Sequence, residues 1–230
     1  MNSTYKVIKF KKNKFENTDD FISVEEPLEI LLKYKDHDKW LTNSLSITMR
    51  TPGCDEDLVR GFLYNEQIIQ NINEIDNIES LGDKVGRYNI QNKIKVTLNN
   101  SKNINISKIK RDFMTNSSCG VCGKSSLDAL EITKKEKASS SDPKLSKEII
   151  MQSPAILRSN QSEFSKTGGI HASGLFSSDG KLISLREDVG RHNALDKMIG
   201  NALNKNQIKP KKQFITCSGR LNFELVQKVL

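Results

Sequence analysis

The chain has 230 residues and a formal net charge of +8, from 36 Lys and Arg against 28 Asp and Glu. The length allows one large domain or two small ones. The positive charge favours phosphate-bearing or acidic ligands. However, the basic residues are scattered and few aromatic residues lie among them, which favours a solvated surface over a nucleic-acid-binding face.

Secreted and membrane classes of protein are disfavoured. Four cysteines in a chain of this length do not make a disulfide framework. No segment of the sequence has the apolar length of a membrane span, and the N-terminus lacks an apolar signal core. We therefore expect a cytoplasmic protein with reduced thiols and no membrane partner.

Residues 1–112 are predicted to form a small α+β part. Its first 25 residues are polar, and we expect a loose arm plus a first strand there. A Pro-Gly break at 52–53 and three acidic residues at 55–57 then indicate the start of a helix. The expected strands lie at 27–32, 45–49, 72–78 and 88–98, and the helix lies at 55–69.

Two thiols stand three residues apart in the run Cys119-Gly120-Val121-Cys122. Such a pair can share a metal, form a disulfide or pass sulfur between its members. Residues 124–130 are typical of the first turns of a helix, whose N-terminal field favours the thiolate. The alternative is half of a zinc knuckle, which would need two further ligands.

Residues 113–230 are predicted to form an α/β part that carries this thiol pair. Its clearest pattern is a β-hairpin with an Asp179-Gly180 turn. A Ser- and Lys-rich stretch at 134–144 is typical of an exposed loop. The other expected elements are a helix at 145–158 with a kink or break at Pro154, hairpin strands at 174–178 and 181–185, a helix containing residues 195–203, a strand at 213–217 and a last helix at 221–230.

Two predicted strand-to-helix turns carry glycines and arginines that suit phosphate binding. Each signal alone is weak, because a glycine often serves turn geometry only. Their coincidence with a Cys-x-x-Cys pair favours a common site. The candidate binding residues are Asp188, Gly190, Arg191, His192 and Asn193 in the first turn and Ser218, Gly219 and Arg220 in the second.

Two histidines and one further cysteine have competing interpretations. His192 shares the apolar stripe of its helix and is expected to point inward from the first turn. For His171, a buried side chain bonded to backbone and a functional side chain are equally favoured. Cys217 is most simply a small apolar residue at a strand end.

Five blocks of sequence occur in a fixed order, at 51–55 with 61–63, 118–124, 167–172, 187–197, and 218–220 with 223–226. They closely resemble the formate dehydrogenase accessory sulfurtransferases, the FdhD/NarQ family. The resemblance implies a sulfur carrier that takes persulfide sulfur from a cysteine desulfurase. It would deliver that sulfur to the molybdenum of the bis-molybdopterin guanine dinucleotide cofactor of formate dehydrogenase.

The same resemblance implies roles for the two thiols and leaves the oligomeric state open between a monomer and a homodimer. Cys119 would carry the persulfide, and Cys122 would help by accepting or releasing the sulfur through exchange. The two basic turns would hold the multiply anionic cofactor as a bound substrate.

The fold class expected is α/β, a cytidine-deaminase-like layered mixed sheet with flanking helices, plus the smaller N-terminal α+β part. The order hairpin, helix, strand, helix is similar to the zinc deaminases, but their catalytic residues are replaced. Ala194 stands where the general acid would be, and Arg220 stands where the second thiol ligand would be. We therefore expect no permanent metal, and a zinc-dependent deaminase is the least favoured function.

Family members usually continue with another strand and a Gly- and Arg-rich segment, whereas this sequence stops at Val229-Leu230 within an apparent helix. We expect that the last strand is missing and that cofactor binding is weakened. The alternative function is then a molybdenum cofactor-binding chaperone without sulfur transfer.

Overall fold

The structure, a computed structural model, describes residues 1–99 and 144–229. Within those ranges the chain forms three separate β-sheets and five α-helices. Four features of the sequence lie outside the described residues. They are the predicted boundary between residues 112 and 113, the thiol pair Cys119 and Cys122, the predicted helix start at 124–130, and residues 134–143 of the predicted loop.

The first 25 residues form a long two-stranded hairpin, so the prediction of a loose arm is wrong. Strands β1 (Asn2–Lys11) and β2 (Lys14–Ser23) pair antiparallel along their whole length. Lys12 and Asn13 both have positive φ, at 48° and 63°. Two central residues with positive φ are typical of a type I′ turn, whose twist matches that of the two paired strands. The turn lacks the Asn-Gly or Asp-Gly sequence typical of that geometry.

A four-stranded sheet with strand order β4-β3-β6-β5 contains the apolar core of the first half. The strands predicted at 27–32 and 45–49 are confirmed and pair as an antiparallel hairpin. Both strands are longer than the apolar runs, because each begins earlier and ends later. The run at 72–78 begins with a 3₁₀ turn at Ile72–Glu74, which Asn71 caps. The elements of this half are β3 (Glu26–Asp36), β4 (Lys39–Arg50), α1 (Asp55–Asn65), β5 (Ile75–Leu81) and β6 (Lys93–Leu98).

A three-stranded sheet with order β8-β7-β9 forms the second half, and β7 is antiparallel to both neighbours. The order hairpin, helix, strand, helix is confirmed, and so is the α/β class with layered sheets and flanking helices. The elements are α2 (Lys147–Ser159), α3 (Ser162–Thr167), β7 (His171–Ser177), β8 (Leu182–Asp188), α4 (Arg191–Asn204), β9 (Gln213–Cys217) and α5 (Phe223–Val229).

Helix α2 continues through Pro154, where the sequence predicted a kink or a break. Proline has no N–H, so the carbonyl of Ile150 loses the donor that a helix normally provides. The Ser153 hydroxyl donates to that carbonyl at 3.1 Å and so replaces the missing bond. Thr216 on β9 donates in turn to the Ser153 hydroxyl at 3.0 Å, which ties α2 to the sheet.

Helices α1 and α4 cross at two glycines and join the halves of the protein. A β-carbon on Gly61 would lie 2.6 Å from the carbonyl carbon of Asp196 and 2.9 Å from the amide nitrogen of Gly200. A β-carbon on Gly200 would lie 2.7 Å from the amide nitrogen of Gly61. Only glycine at both positions allows the two backbones to approach this closely.

Charged side chains surround this crossing and are paired across it. Arg186 on β8 bonds Asp57 on α1 at 2.9 Å, and Lys228 on α5 contacts Asp196 at 3.1 Å and Glu66 at 2.8 Å. Burial alone would lower the pKa of Lys228, but the two carboxylates outweigh it and hold that pKa above its usual value. The last helix is therefore anchored to both α4 and α1.

None of the helices found in residues 1–99 and 144–229 is both long and apolar enough to cross a lipid bilayer.

Candidate functional site

The two turns predicted to bind phosphate lie at the same edge of the second sheet. Because β7 is antiparallel to β8 and β9, its first residue, His171, lies beside the carboxyl ends of both neighbours. The chain leaves β8 into α4 at that edge, and it leaves β9 toward α5 at the same edge. The strand order thus brings together two turns that are about thirty residues apart in sequence.

Asp188, the last residue of β8, lies at the centre of a buried hydrogen-bond network. Its carboxylate contacts the Lys197 ammonium at 2.7 Å and accepts from the backbone N–H groups of Gly190 at 2.9 Å and Thr51 at 3.1 Å. The Asn193 amide donates to it at 3.3 Å. Burial raises the pKa of the Asp188 carboxyl, whereas Lys197 and the other donors act against that rise.

The same network fixes the loop that follows β4. Lys197 donates to the carbonyl of Thr51 at 2.6 Å, and the amide of Val189 donates to the Thr51 hydroxyl at 3.1 Å. The side chains of Asp188 and Lys197 are 0% and 2% exposed, so they reach other protein groups rather than the surface. A loop of the first half is thereby held against the turn that begins α4.

We expect Asp188→Asn to lower the free energy of unfolding by about 3–5 kcal/mol, because it leaves the Lys197 ammonium buried without its counter-charge. Urea denaturation of Asp188→Asn, Lys197→Met and the double variant measures this. The double variant should lose less stability than the two single variants lose together, since the second change removes the uncompensated charge. Additive losses would show that the two side chains are not coupled.

The first turn of α4 presents backbone donors at the sheet edge. Gly190 is its N-cap and supplies no side-chain cap, and the first amide bonded within the helix is that of Ala194. The buried Nε of Arg191 has no hydrogen-bond partner among the residues that the structure describes. Unsatisfied N–H groups and a guanidinium at a helix N-terminus are the groups that bind an anion.

The other two residues of that turn have partners within the protein. Asn193 is buried, donates to the carbonyl of Met49 at 2.8 Å and accepts from Thr48 at 3.1 Å. His192 points inward as predicted, but toward α5: its Nε2 lies 3.0 Å from the Glu224 carboxylate. Direct contact of Asp188, Asn193 or His192 with a ligand stays a prediction. Asp188 and Asn193 hold neighbouring backbone in place, whereas His192 connects α4 to side chains near α5.

The second turn is attached to the start of β7. The amide of Ser218 donates to the carbonyl of Ala172 at 2.9 Å, and the Ser218 hydroxyl accepts from the amide of Ala172 at 2.8 Å. A β-carbon on Gly219 would lie 3.2 Å from Nδ1 of His171 and 3.6 Å from Cβ of Arg191. Arg220 is exposed. Gly219 therefore packs against His171 at the start of β7 and against Arg191 in the first turn.

Two thiols belong to the described residues. Cys54 is exposed, precedes α1 as its N-cap and has a φ of 56°. Cys217 is half-buried and packs against the core beside α4, as the sequence predicted, and burial raises the pKa of its thiol. Within residues 1–99 and 144–229, no three His, Cys, Asp or Glu side chains are grouped so that they could hold a metal ion.

Comparison with known proteins decides the family. The sequence model of the FdhD/NarQ family matches residues 23–230. The chain belongs to the FdhD/NarQ family.

Similar members of the FdhD/NarQ family cover almost the whole chain. The sulfur carrier protein FdhD of Sulfolobus acidocaldarius is 41% identical over 225 residues, which are 98% of this chain and 79% of that protein. The sulfur carrier protein FdhD of Streptomyces coelicolor is 38% identical over 227 residues, 98% of this chain and 78% of that protein. The resemblance inferred from five sequence blocks is therefore confirmed.

A solved structure has the same fold. The crystal structure assigned to a formate dehydrogenase accessory protein from Desulfotalea psychrophila has a TM-score of 0.66 and 22% sequence identity. The match covers 99% of this chain and 79% of that chain. At this level of identity the likeness shows the fold of this FdhD/NarQ member and nothing finer.

Sequence reasoning missed two residues of the site in this FdhD/NarQ member and left a third, His171, undecided. Thr51 and Lys197 belong to the network around Asp188, and the ring of His171 lies beneath Gly219. Lys197 lies on a face of α4 that also carries Asn193 and Asn201, and all three are buried, so no apolar stripe in the sequence marked it as inward-facing. Thr51 gave no signal, since its role depends on packing between the two halves.

Proposed function

We propose that this chain is a sulfur carrier that takes sulfur from a cysteine desulfurase onto Cys119 and delivers it, in the cytoplasm, to the molybdenum cofactor. The cofactor would be bis-molybdopterin guanine dinucleotide, sulfurated before its insertion into formate dehydrogenase. The observation that carries the proposal is the meeting of two turns with N–H and guanidinium donors at one sheet edge, in a family whose members are named sulfur carriers.

The first chemical step is a sulfur exchange at Cys119. The Cys119 thiolate attacks the terminal sulfur of the desulfurase persulfide, a new S–S bond forms, and the desulfurase cysteine leaves as a thiolate. No oxidant is consumed, because the terminal sulfur only changes its carrier. Cys122 then accepts or releases the sulfur by the same type of exchange.

The sheet edge at 188–193 and 218–220 suits the diphosphate of the cofactor. The N–H groups at the start of α4 and the guanidinium groups of Arg191 and Arg220 would bind its negative charges. Asp188 and Asn193 would support this contact from beneath by holding the Gly190 turn. The cofactor is the cargo of the reaction, so the protein needs no resident metal.

Sulfur loading tests the proposal directly. The purified protein is incubated with a cysteine desulfurase and cysteine, and its intact mass is measured. We expect a gain of one sulfur atom that dithiothreitol removes. A protein that binds the guanine nucleotide but never gains sulfur would instead be a cofactor chaperone without sulfur transfer.

Nucleotide binding tests the second half of the proposal. Guanosine diphosphate mannose is a suitable probe because its diphosphate is esterified at both ends, like that of the cofactor. Arg220→Ala and Arg191→Ala should each weaken binding by about 1.5–3 kcal/mol, about 10- to 150-fold, if each makes a charge-assisted bond to phosphate.

Titration calorimetry measures these affinities. Arg87→Ala is the matched control, because it removes the same charge from an exposed position far from the sheet edge in sequence. It should change the affinity only slightly. Unchanged binding in both Arg191→Ala and Arg220→Ala would remove these turns from the binding site.

A further inference from the structure

His171 is the one histidine whose ring is not paired within the described residues. Of the three histidines, His37 contacts Asp36 at 3.0 Å and His192 contacts Glu224 at 3.0 Å. The ring of His171 has no hydrogen bond or ion pair to any residue in 1–99 or 144–229, and it is only half-buried. Its ring nitrogens therefore remain available to a ligand.

The ring lies at the centre of the sheet edge described above. It stands where β8 and β9 end, directly beneath Gly219 and beside the first turn of α4. The position opposite His171 on β8 is Asp188, whose carboxylate is occupied by Lys197 and backbone donors. A ligand bound between the two turns would meet His171 on the side toward the sheet.

Burial and a neighbouring positive charge favour the neutral form of the His171 ring in the free protein. The charged groups that face it are Arg191 on α4 and Asp188 on β8. Burial, and next the positive charge of Arg191, hold the pKa of His171 below its usual value, and Asp188 offsets this only in part. A neutral imidazole offers one donor and one acceptor at neutral pH.

Resting on the function proposed above, we propose that His171 contacts a phosphate of the bound guanine nucleotide and takes up a proton from solvent when that nucleotide binds. A phosphate beside the ring favours the imidazolium and cancels the repulsion from Arg191. His171 would thus add a third group to the site, and its charge would appear only when the anion is present.

The sign of the pH dependence follows from this linkage. The pKa of His171 is higher in the complex than in the free protein, so binding is tightest below the free-state pKa. The advantage is lost as the pH rises through the bound-state pKa. Because guanosine diphosphate mannose keeps a constant charge in this range, any change in affinity reports on the protein.

Calorimetry of the full chain with guanosine diphosphate mannose is the first test. In two buffers of different ionisation enthalpy at about pH 6.5, the heats should reveal net proton uptake. Binding should be about tenfold tighter at about pH 5.5 than at about pH 8, which corresponds to one pKa unit. His171→Gln should remove the proton uptake and most of this pH dependence, whereas His37→Gln should keep both.

A measurement on the unaltered protein covers the case in which His171→Gln fails to fold. NMR of the protein with labelled histidine follows three ring signals, and the His171 signal should titrate at higher pH with the nucleotide than without it. Equal titration in both states would overturn the inference. If the nucleotide still binds through Arg191 and Arg220, the proposed function survives that result. Absence of nucleotide binding would contradict both the inference and the proposed binding site. Sulfur loading of Cys119 is tested by a separate experiment and does not depend on either result.

Discussion

Cys119→Ala abolishes the dithiothreitol-sensitive gain of sulfur when the protein is incubated with a cysteine desulfurase and cysteine. This is the expected result because the sulfur is held by a covalent S–S bond to Cys119, and in the proposed relay Cys122 receives sulfur only after Cys119 has been loaded. The loss should be complete rather than partial. Intact-mass spectrometry of the variant beside the unaltered protein measures it.

The remaining cysteines supply matched controls for this experiment. Cys122→Ala should still load sulfur once but turn over more slowly, because loading requires one thiolate and exchange requires two. Cys217→Ala removes a half-buried thiol and Cys54→Ala an exposed one, and neither should change loading. The Cys54 control is the more stringent, since that thiol is accessible. Full loading of Cys119→Ala would refute the assignment of the persulfide to this residue.

Gly200→Ala lowers the free energy of unfolding by about 3 kcal/mol or more, at the upper end of the cost of overpacking. In an isolated helix the same change would stabilise by about 1 kcal/mol, because alanine is the better helix former. Here the new methyl group would lie 2.8 Å from the carbonyl carbon of Asp57 and 2.7 Å from the amide nitrogen of Gly61. Backbone atoms cannot rotate aside, so steric overlap outweighs helix propensity and forces α1 and α4 apart.

Urea denaturation of two further variants separates this effect from a general cost of alanine. Gly61→Ala should be destabilised similarly, and the double variant by less than the sum, because both changes widen the same helix crossing. Gly169→Ala is the control, since the nearest atom to its added methyl group is 3.9 Å away. It should change stability by less than about 0.5 kcal/mol. A Gly200→Ala protein as stable as the unaltered one would show that the helices do not cross this closely.

Most elements of the second half could be predicted from local sequence. The Asp179-Gly180 turn between two apolar runs indicated the hairpin β7–β8, and the run 213–217 corresponds to the whole of β9. Turns and short apolar strands depend mainly on neighbouring residues, so local patterns are sufficient. The continuation of α2 through Pro154 could not be foreseen, because it relies on the Ser153 hydroxyl replacing a lost backbone donor.

The N-terminal hairpin β1–β2 is the clearest failure of local reasoning. Its strands carry polar residues on both faces, so no alternation of buried and exposed positions marks them. The hairpin is held instead by contacts with α3: Asn2 donates to Glu163 at 2.9 Å and Ser23 to Thr167 at 2.9 Å. These partners are more than a hundred residues away in sequence, beyond the reach of any local pattern.

The sequence by itself determined the family and the chemical groups available to the protein: a thiol pair, two turns rich in glycine and arginine, and an excess of positive charge. These properties follow from residue type and order, which a sequence states directly. Only the tertiary structure decided which groups meet. Asp188 bonds the amide of Thr51 across 137 residues, and the strand order β8-β7-β9 places His171 beneath Gly219. Such contacts depend on strand order and helix packing, and these arise from the cooperative folding of the whole chain.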